Sequence, residues 1–342
     1  MKTSRLFLLL TLLLLAAAGT AFAAGSDAAM IKALLQYRKG DYAGAAEAYS
    51  IVLQSNPKSA EAYNNRGLCK AALGDYDGAA ADYGKALKFD SGMAAAYNNR
   101  GLARAKAGRY SEAVADYNSA LRINAVLPEA YNNLGMAKKA LGDFSGALDD
   151  FNSAVAIRPL YPEAFFNRGL VLQQLSDHKD AAKDFQRVIE YMPGYAEPYY
   201  HRGISRALTR DNRGALADFS RALSINPKYA EALSARGMTR IRNRDYIEAL
   251  EDLNTVIGMQ PGNADLYYRR ALARTKLNDY VGAEEDCSQA LTRKNGYSEV
   301  YFLRGIVRGE LGNRDGRLSD LIRSAALGYE PARKLLKKER RK

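Results

Sequence analysis

The sequence predicts an all-α fold in which helix-turn-helix repeats stack into a solenoid. The first observation is internal repetition. The segment from Ala62 to Gly67 recurs from Ala96 to Gly101, and this offset of 34 residues continues along the chain. The second is that position 8 of this period is glycine in seven repeats and position 20 is alanine in eight, so two helices can approach closely. The third is the order of helical stretch, turn and helical stretch within each period.

Nine repeats of equal length follow from this period when the first begins at Ser26. They cover residues 26–59, 60–93, 94–127, 128–161, 162–195, 196–229, 230–263, 264–297 and 298–331. Each repeat is too short to bury a core alone, so the constant period predicts one continuous solenoid rather than separate globular domains.

The N-terminal residues 1–23 predict a secretory signal peptide. Lys2 and Arg5 come before an apolar run from Leu6 to Ala18, and small residues follow at 21 and 23, where a signal peptidase would cut. The run is shorter than the roughly 20 residues that span a bilayer, so a membrane anchor is the weaker alternative. We therefore expect an exported protein, and the sequence leaves both a periplasmic and a secreted location open.

Each repeat also carries large residues at fixed places. Positions 4 and 24 are mostly aromatic, and position 32 is often a proline that ends the second helix. These prolines are Pro57, Pro159, Pro193, Pro227 and Pro261. The pattern of aromatic, small and proline positions resembles the tetratricopeptide repeat family over nearly nine tenths of the chain. The resemblance implies a right-handed superhelix in which the first helix of each repeat lines a concave groove that binds a partner.

Charged residues recur on one face of the first helix, at positions 7 and 11. Position 7 is arginine in seven repeats, and position 23 on the second helix is aspartate in eight consecutive repeats. We expect a ladder of Arg–Asp pairs between the helices of a repeat or between adjacent repeats. Because one aspartate faces two cations, the alternative is that position 11, which includes Arg206, Arg240 and Arg274, keeps donors for an acidic ligand.

Asparagine recurs at position 6 of the first helix in several repeats. It is Asn65, Asn99, Asn133 and Asn167, and His201 takes the same position in the sixth repeat. The resemblance implies that such amides line the groove and hold the backbone of an extended peptide, since an amide both donates and accepts hydrogen bonds. The alternative is that they make local hydrogen bonds within the repeats.

The C-terminal residues 332–342 predict a basic capping helix or tail. Arg317 and Ser324 replace the usual core residues of the ninth repeat, so a further identical repeat would stack poorly and Leu335 and Leu336 are expected to cover the exposed core. Half of the formal net charge of +12 lies on residues 331–342, which argues against a nucleic-acid partner. Contact of this tail with an anionic membrane is a further alternative.

Catalytic residues are not evident in the sequence. There are two histidines, His178 and His201, and two cysteines, Cys69 and Cys287, and none has a partner at the spacing of a known nucleophile, metal or cofactor motif. The cysteines are expected to be buried core residues without a disulfide. The sequence therefore predicts a non-enzymatic scaffold, without cofactor or metal, that binds a protein or an extended peptide. The alternative is a periplasmic accessory of polysaccharide or envelope assembly that binds an acidic glycan.

Overall fold

The computed structural model describes residues 28–339, and all regular secondary structure in this range is α-helical. The predicted all-α fold class is confirmed. The predicted signal peptide, residues 1–23, lies outside the described residues, as do residues 340–342. Among the helices described, none is long and apolar enough to cross a bilayer.

The described residues form two compact units, with the division between Val171 and Leu172. In the first unit the helices are α1 (residues 28–38), α2 (Tyr42–Ser55), α3 (Ala60–Ala72), α4 (Tyr76–Phe89), α5 (Ala94–Lys106), α6 (Tyr110–Ile123), α7 (Pro128–Ala140) and α8 (Phe144–Ile157). Helix α9 (Pro162–Gln174) begins in the first unit and ends in the second. In each unit, successive helices pack against one another in pairs.

In the second unit, first and second helices of the repeats also alternate and have similar lengths, and the last helix is shorter. Its helices are α10 (His178–Tyr191), α11 (Ala196–Leu208), α12 (Asn212–Ile225), α13 (Ala230–Asn243), α14 (Tyr246–Met259), α15 (Ala264–Lys276), α16 (Tyr280–Arg293), α17 (Ser298–Glu310), α18 (Arg314–Ala326) and α19 (Glu330–Glu339). From α3 onwards, the first helix of each repeat begins at position 1 of the period, as at Ala60, Ala94 and Pro128.

The turn between the two helices of a repeat has the same backbone conformation in most repeats. Gly74, at position 15, has a φ of +83°, and the next residue, Asp75, caps the second helix by accepting a hydrogen bond of 2.9 Å from the backbone N–H of Gly78. Four residues with side chains adopt the same left-handed conformation at position 15: Ser176, Arg210, Arg244 and Asn278. The packing of the helix pair therefore imposes this turn even where the residue does not favour it.

Small residues on the first helix meet large residues on the second. A Cβ on Gly67 would lie 2.8 Å from Tyr83 Cε1, closer than real carbon atoms approach, so the aromatic ring at position 24 requires glycine at position 8. The eighth repeat shows the compensating change, with Ala271 at position 8 and the smaller Cys287 at position 24. Both Cys287 and Cys69 are free and fully buried, as the sequence predicted.

Helix α19 packs against α18 at the end of the second unit. Ala332 is fully buried there, while Leu335 and Leu336 are half-buried and the neighbouring lysines are exposed. The terminal helix thus presents a small apolar face to the last repeat and its basic side chains to solvent.

Candidate functional site

Each first helix has two opposed faces with different chemistry. Two residues along an α-helix turn by about 200°, so positions 7 and 11 lie opposite positions 5 and 9. Positions 7 and 11 contact the second helix of the repeat, while positions 5, 6 and 9 lie on the side that the family resemblance assigns to a groove.

Positions 7 and 23 form the ladder of Arg–Asp pairs that the sequence predicted. In the second repeat, Arg66 donates from Nε to Asp82 Oδ2 at 2.8 Å and from Nη2 to Asp82 Oδ1 at 2.7 Å. The aspartate is buried, and the pair joins the two helices of one repeat. The same bidentate arrangement links Arg100 to Asp116, Arg202 to Asp218, Arg236 to Asp252, Arg270 to Asp286 and Arg304 to Asp320.

The arginine at position 7 also contacts the preceding repeat. Nη1 of Arg66 donates to Ser50 Oγ at 3.0 Å, and the guanidinium carbon lies 5.5 Å from the centre of the Tyr63 ring. Corresponding bonds to position 25 of the preceding repeat join Arg236 to Ser220, Arg270 to Asn254 and Arg304 to Ser288. One guanidinium thus holds together two helices of its own repeat and one of the repeat before.

The cations at position 11 share the same aspartates. Nη1 of Arg206 lies 2.8 Å from Asp218 Oδ2, and the matching distances are 2.7 Å for Arg240 with Asp252 and 3.0 Å for Arg274 with Asp286. The donors that the sequence left open for an acidic ligand are therefore used within the repeats to a large extent. A ligand-binding role for Arg206, Arg240 and Arg274 stays a prediction.

The fourth repeat departs from this arrangement because Leu134 occupies position 7. Asp150 keeps Lys138, whose Nζ lies 2.8 Å from Oδ2, but has no arginine at that position. Burial raises the pKa of Asp150, and the ammonium of Lys138 offsets part of that effect. Burial acts in the same direction on Asp82, but the hydrogen bonds from Arg66 and Lys70 together outweigh it and lower the pKa of Asp82.

An amide row occupies the opposite face of the first helices in the first unit. The side-chain Nδ2 of position 6 donates to the Oδ1 of position 5 in the preceding repeat. The distances are 3.4 Å from Asn99 to Asn64, 3.1 Å from Asn133 to Asn98 and 3.0 Å from Asn167 to Asn132. Asn65 instead accepts at Oδ1 from its neighbour Asn64, at 3.2 Å. The local hydrogen bonds that the sequence offered as an alternative do exist.

These local bonds leave part of each amide available. Within the described residues, the Oδ1 atoms of Asn99 and Asn133 accept no hydrogen bond, and each Nδ2 keeps a second N–H. Position 9, on the same side of the helices, exposes Leu102 and Met136, each about two fifths accessible to solvent. The surface therefore combines hydrogen-bonding amides with apolar side chains at regular spacing.

The second unit has a pocket at the corresponding face of α11, α13 and α15. The pocket has a volume of about 520 Å³, with Tyr200, Ile204 and Met238 among its apolar lining residues. It opens because position 5 of the seventh repeat is Ser234, whereas the repeats on either side have Tyr200 and Tyr268 there. The pocket was not predicted from the sequence, although the change from an aromatic to a small residue at position 5 indicates it.

Arg269 and Asp265 form a charged rim on this pocket. Nη1 of Arg269 donates to Ser234 Oγ at 3.3 Å, which repeats the link from position 6 to the preceding position 5 seen in the amide row. Nε of Arg269 donates to Asp265 Oδ2 at 2.5 Å. The pocket thus offers an apolar floor and a rim with both charges.

His201 lies at position 6 but is packed against its neighbours. Its Nδ1 lies 3.0 Å from Gln173 Oε1, and its ring stacks on Phe185 with centroids 5.4 Å apart. Burial lowers the pKa of His201 to about 4, so the imidazole is neutral at physiological pH. A role of His201 in ligand binding stays a prediction.

Family models match most of this chain. Models described as tetratricopeptide repeat match residues 32–94, 163–194 and 234–298, and one described as TPR repeat matches residues 103–142 and 137–176. No curated protein matches the chain in sequence.

Several solved structures have similar folds. YrrB, described as a TPR protein with an unusual peptide-binding site, is 29% identical with a TM-score of 0.50, and the match covers 56% of this chain and 98% of that one. A tetratricopeptide repeat protein from Parabacteroides merdae is 21% identical with a TM-score of 0.54, over 71% and 97% of the two chains. The C-terminal part of a TPR repeat-containing protein from Cytophaga hutchinsonii is 21% identical with a TM-score of 0.57, over 68% and 96%. At this identity, the last two show the fold alone.

Proposed function

Because the chain belongs to the tetratricopeptide repeat family, whose fold is that of a protein-interaction scaffold, we propose that it is a non-enzymatic scaffold that binds an extended peptide segment of a protein partner. The proposed binding surface is the side of the first helices that carries positions 5, 6 and 9. In the first unit this surface is the amide row with its exposed apolar neighbours, and in the second unit it is the pocket beside Ser234.

The observation that carries the proposal is the orientation of the amide row. Each Nδ2 is fixed by its bond to the preceding repeat, so the Oδ1 atoms of Asn99 and Asn133 have lost rotational freedom before a ligand arrives. Amides held in this way at the spacing of the repeats can bond the backbone N–H groups of an extended peptide, whatever its sequence. Leu102 and Met136 then supply apolar contacts for its side chains.

The pocket in the second unit adds selectivity to this proposal. A volume of about 520 Å³ with an apolar floor suits a large apolar side chain of the peptide, and the charged rim suits polar groups on either side of it. YrrB, whose description mentions a peptide-binding site, is 29% identical to the matched part of this chain and supports a peptide as the ligand class.

The alternative ligand, an acidic glycan, has less support. It needs unpaired cations at position 11, and Arg206 and Arg240 are already bonded to buried aspartates. Anchoring to an anionic membrane would use the basic tail, in which Lys334, Lys337 and Lys338 are exposed, and it would not involve the repeats. Export from the cytoplasm is part of our proposal and rests on the predicted signal peptide, and fractionation of cells that express the full chain tests it.

The test is a peptide-display selection against the full chain without residues 1–23, followed by affinity measurements on the selected peptides. The double variant Asn99→Ala with Asn133→Ala should weaken binding at least about tenfold, the effect of losing one or two hydrogen bonds. The matched control is Ser55→Ala with Ser153→Ala, since each of these hydroxyls donates to a carbonyl four residues earlier in its own second helix. Equal binding by all three proteins would contradict the proposal, and retention of an acidic glycan instead would support the alternative.

The pocket has its own test. Ser234→Tyr places at position 5 the side chain that the adjacent repeats already carry, so the variant should fold while its ring fills the pocket. We expect loss of those selected peptides that contain a large apolar residue. If all of these peptides still bind with unchanged affinity, the pocket is not part of the binding surface.

A further inference from the structure

The fourth repeat contains a cavity where other repeats contain an arginine. The cavity is a depression open to solvent, with a volume of about 390 Å³, and it lies in the first unit between residues of α6, α7 and α8. It is lined by Asn118, Tyr131, Leu134, Lys138 and Asp150, among others. Leu134 is at position 7, the position that an arginine occupies in seven other repeats.

The second repeat shows what a guanidinium meets at this place. Asp82 binds two nitrogens of Arg66, at 2.8 and 2.7 Å, and Ser50 binds a third at 3.0 Å. The ring of Tyr63 lies on one side, 5.5 Å from the guanidinium carbon. The binding groups are thus a buried carboxylate, a polar oxygen from the preceding repeat and an aromatic ring.

All three kinds of group are retained in the fourth repeat. Asp150 corresponds to Asp82, Asn118 corresponds to Ser50 and Tyr131 corresponds to Tyr63. Asp150 is 7% exposed, and among the described residues Lys138 is its one cationic partner.

The carboxylate therefore keeps acceptor capacity, in a site whose groups correspond to those that hold the guanidinium in the second repeat. The sixth and eighth repeats show that such an aspartate accommodates two cations at once, because Asp218 and Asp286 each bind an arginine at position 7 and another at position 11. In the fourth repeat, Lys138 supplies the second cation and the first is missing. The other cation at the edge of the cavity, Arg122, donates to Ser119 and does not pair with Asp150.

We propose that the cavity over Leu134 binds the guanidinium group of a guest, either an arginine side chain of a partner protein or a small guanidinium compound. The guest takes the place that the arginine at position 7 fills in other repeats. Its nitrogens bond Asp150 and the side-chain oxygen of Asn118, and its face lies against Tyr131. The site is on the side of α7 opposite to the amide row, so it is separate from the proposed peptide surface.

The experiment measures binding of methylguanidinium chloride and of N-acetyl-L-arginine N-methylamide to the full chain without residues 1–23, by ligand-observed NMR and calorimetry at constant ionic strength. Tetramethylammonium chloride controls for charge without N–H donors, and urea controls for a planar donor without charge. We expect saturable binding of the two guanidinium compounds to one site and no saturable binding of the two controls.

Two variants remove the site by different means. Leu134→Arg fills the cavity with the residue that seven other repeats carry, so this variant should fold, and Asp150→Asn removes the carboxylate charge. Each should weaken guanidinium binding at least about tenfold, as expected for loss of a charge-assisted hydrogen bond. Leu134→Met is the matched control, since it keeps an apolar side chain of similar volume, and it should bind as the unchanged chain does.

A third variant creates the site elsewhere. Arg66→Leu in the second repeat reproduces the arrangement of the fourth, with Asp82, Ser50 and Tyr63 left around the vacated place, and the number of bound methylguanidinium ions should rise from one to two. Equal affinity of Leu134→Arg and the unchanged chain, or equal binding of tetramethylammonium, would overturn the proposal. Tighter binding of the blocked arginine than of methylguanidinium assigns the guest to a protein, and the reverse order assigns it to a small compound.

Discussion

Asp82 and Asp150 occupy the same position in two repeats of the first unit, and each has a lysine ammonium 2.8 Å from Oδ2. They differ in their second cation, since Arg66 binds Asp82 and Leu134 stands at the equivalent place beside Asp150. The pKa of Asp82 is lowered and that of Asp150 is raised, although burial pushes both upwards. Beside Asp150, one lysine fails to offset the rise in pKa caused by burial and by the charges of Asp149 and Asp143. Beside Asp82, a lysine and a bidentate arginine together outweigh the effect of burial on the pKa.

The largest effect is expected from removing the charge that Asp82 supplies. Asp82→Asn leaves Arg66 and Lys70 without their common anion, and we expect a loss of about 3 kcal/mol in the free energy of unfolding at neutral pH. Urea unfolding of the full chain, followed by circular dichroism, measures it. A loss below about 1 kcal/mol, within the range of exposed ion pairs, would mean that the buried cluster acts like a surface one.

The second effect tests whether the arginine alone makes the difference. Arg66→Leu leaves Asp82 with one lysine as its cationic partner, as Asp150 has. We expect the pKa of Asp82 to rise and the free energy of unfolding to fall by about 2 kcal/mol, the typical value of a hydrogen bond to a charged group. The pKa is followed by NMR titration of the carboxyl carbon. An unchanged pKa would show that Lys70 suffices after all.

The third effect is the reverse exchange. Leu134→Arg gives Asp150 the surroundings of Asp82, and we expect its pKa to fall and the chain to gain about 1 kcal/mol, less than Arg66→Leu costs, because a buried leucine side chain is lost in the exchange. Leu134→Met is the control for a change of shape without charge. Destabilisation by the arginine together with an unchanged pKa of Asp150 would contradict the comparison.

The smallest effect concerns Asp150 itself and its dependence on pH. Its folded pKa is raised above 3.8, so its contribution to stability is present below pH 3.8 and is lost as pH rises through the folded pKa. Asp82 has the opposite sign, because its pKa is lowered and its contribution is lost as pH falls below 3.8.

Asp150→Asn should therefore change the free energy of unfolding by less than about 0.5 kcal/mol at neutral pH, in the direction of greater stability, within the usual range for substitutions that break no strong interaction. Thermal unfolding of both asparagine variants between pH 3 and 7 gives the comparison. If Asp82→Asn and Asp150→Asn lower the free energy of unfolding equally at neutral pH, the two carboxylates contribute equally to stability, which would contradict the comparison.

Much of the fold could be predicted from the sequence because the packing of each helix pair requires the same residue types at the same positions in every repeat. Glycine at position 8 and an aromatic residue at position 24 imply close contact of two helices, and the structure confirms this at Gly67 and Tyr83. The Arg–Asp ladder was also predicted, since charges on one face of a helix must meet charges of opposite sign where the face is buried. In the eighth repeat, Ala271 replaces the glycine at position 8 and the smaller Cys287 replaces the aromatic residue at position 24, so the two positions still fit one another.

The candidate site was less predictable because its hydrogen bonds and its pockets depend on the side chains of neighbouring repeats. Asn99 and Asn133 could be named from their position, but the bonds that orient them come from asparagines of the preceding repeat. The sequence could not say whether the cations at position 11 are paired within the repeat, and in the structure Arg206 bonds Asp218. The pocket beside Ser234 and the cavity over Leu134 arise from small or missing groups among larger ones.

The sequence by itself determined the all-α repeat fold, the helix pairs and the residues that hold them, because each repeat reports the same packing constraint again at a fixed spacing along the chain. The tertiary structure alone decided which charges are satisfied and where space remains. A cation such as Arg66 is paired or available according to groups on three helices, and a cavity such as that over Leu134 exists through the side chains around it. Those relations depend on distances between atoms of different repeats, which the order of residues along one repeat does not contain.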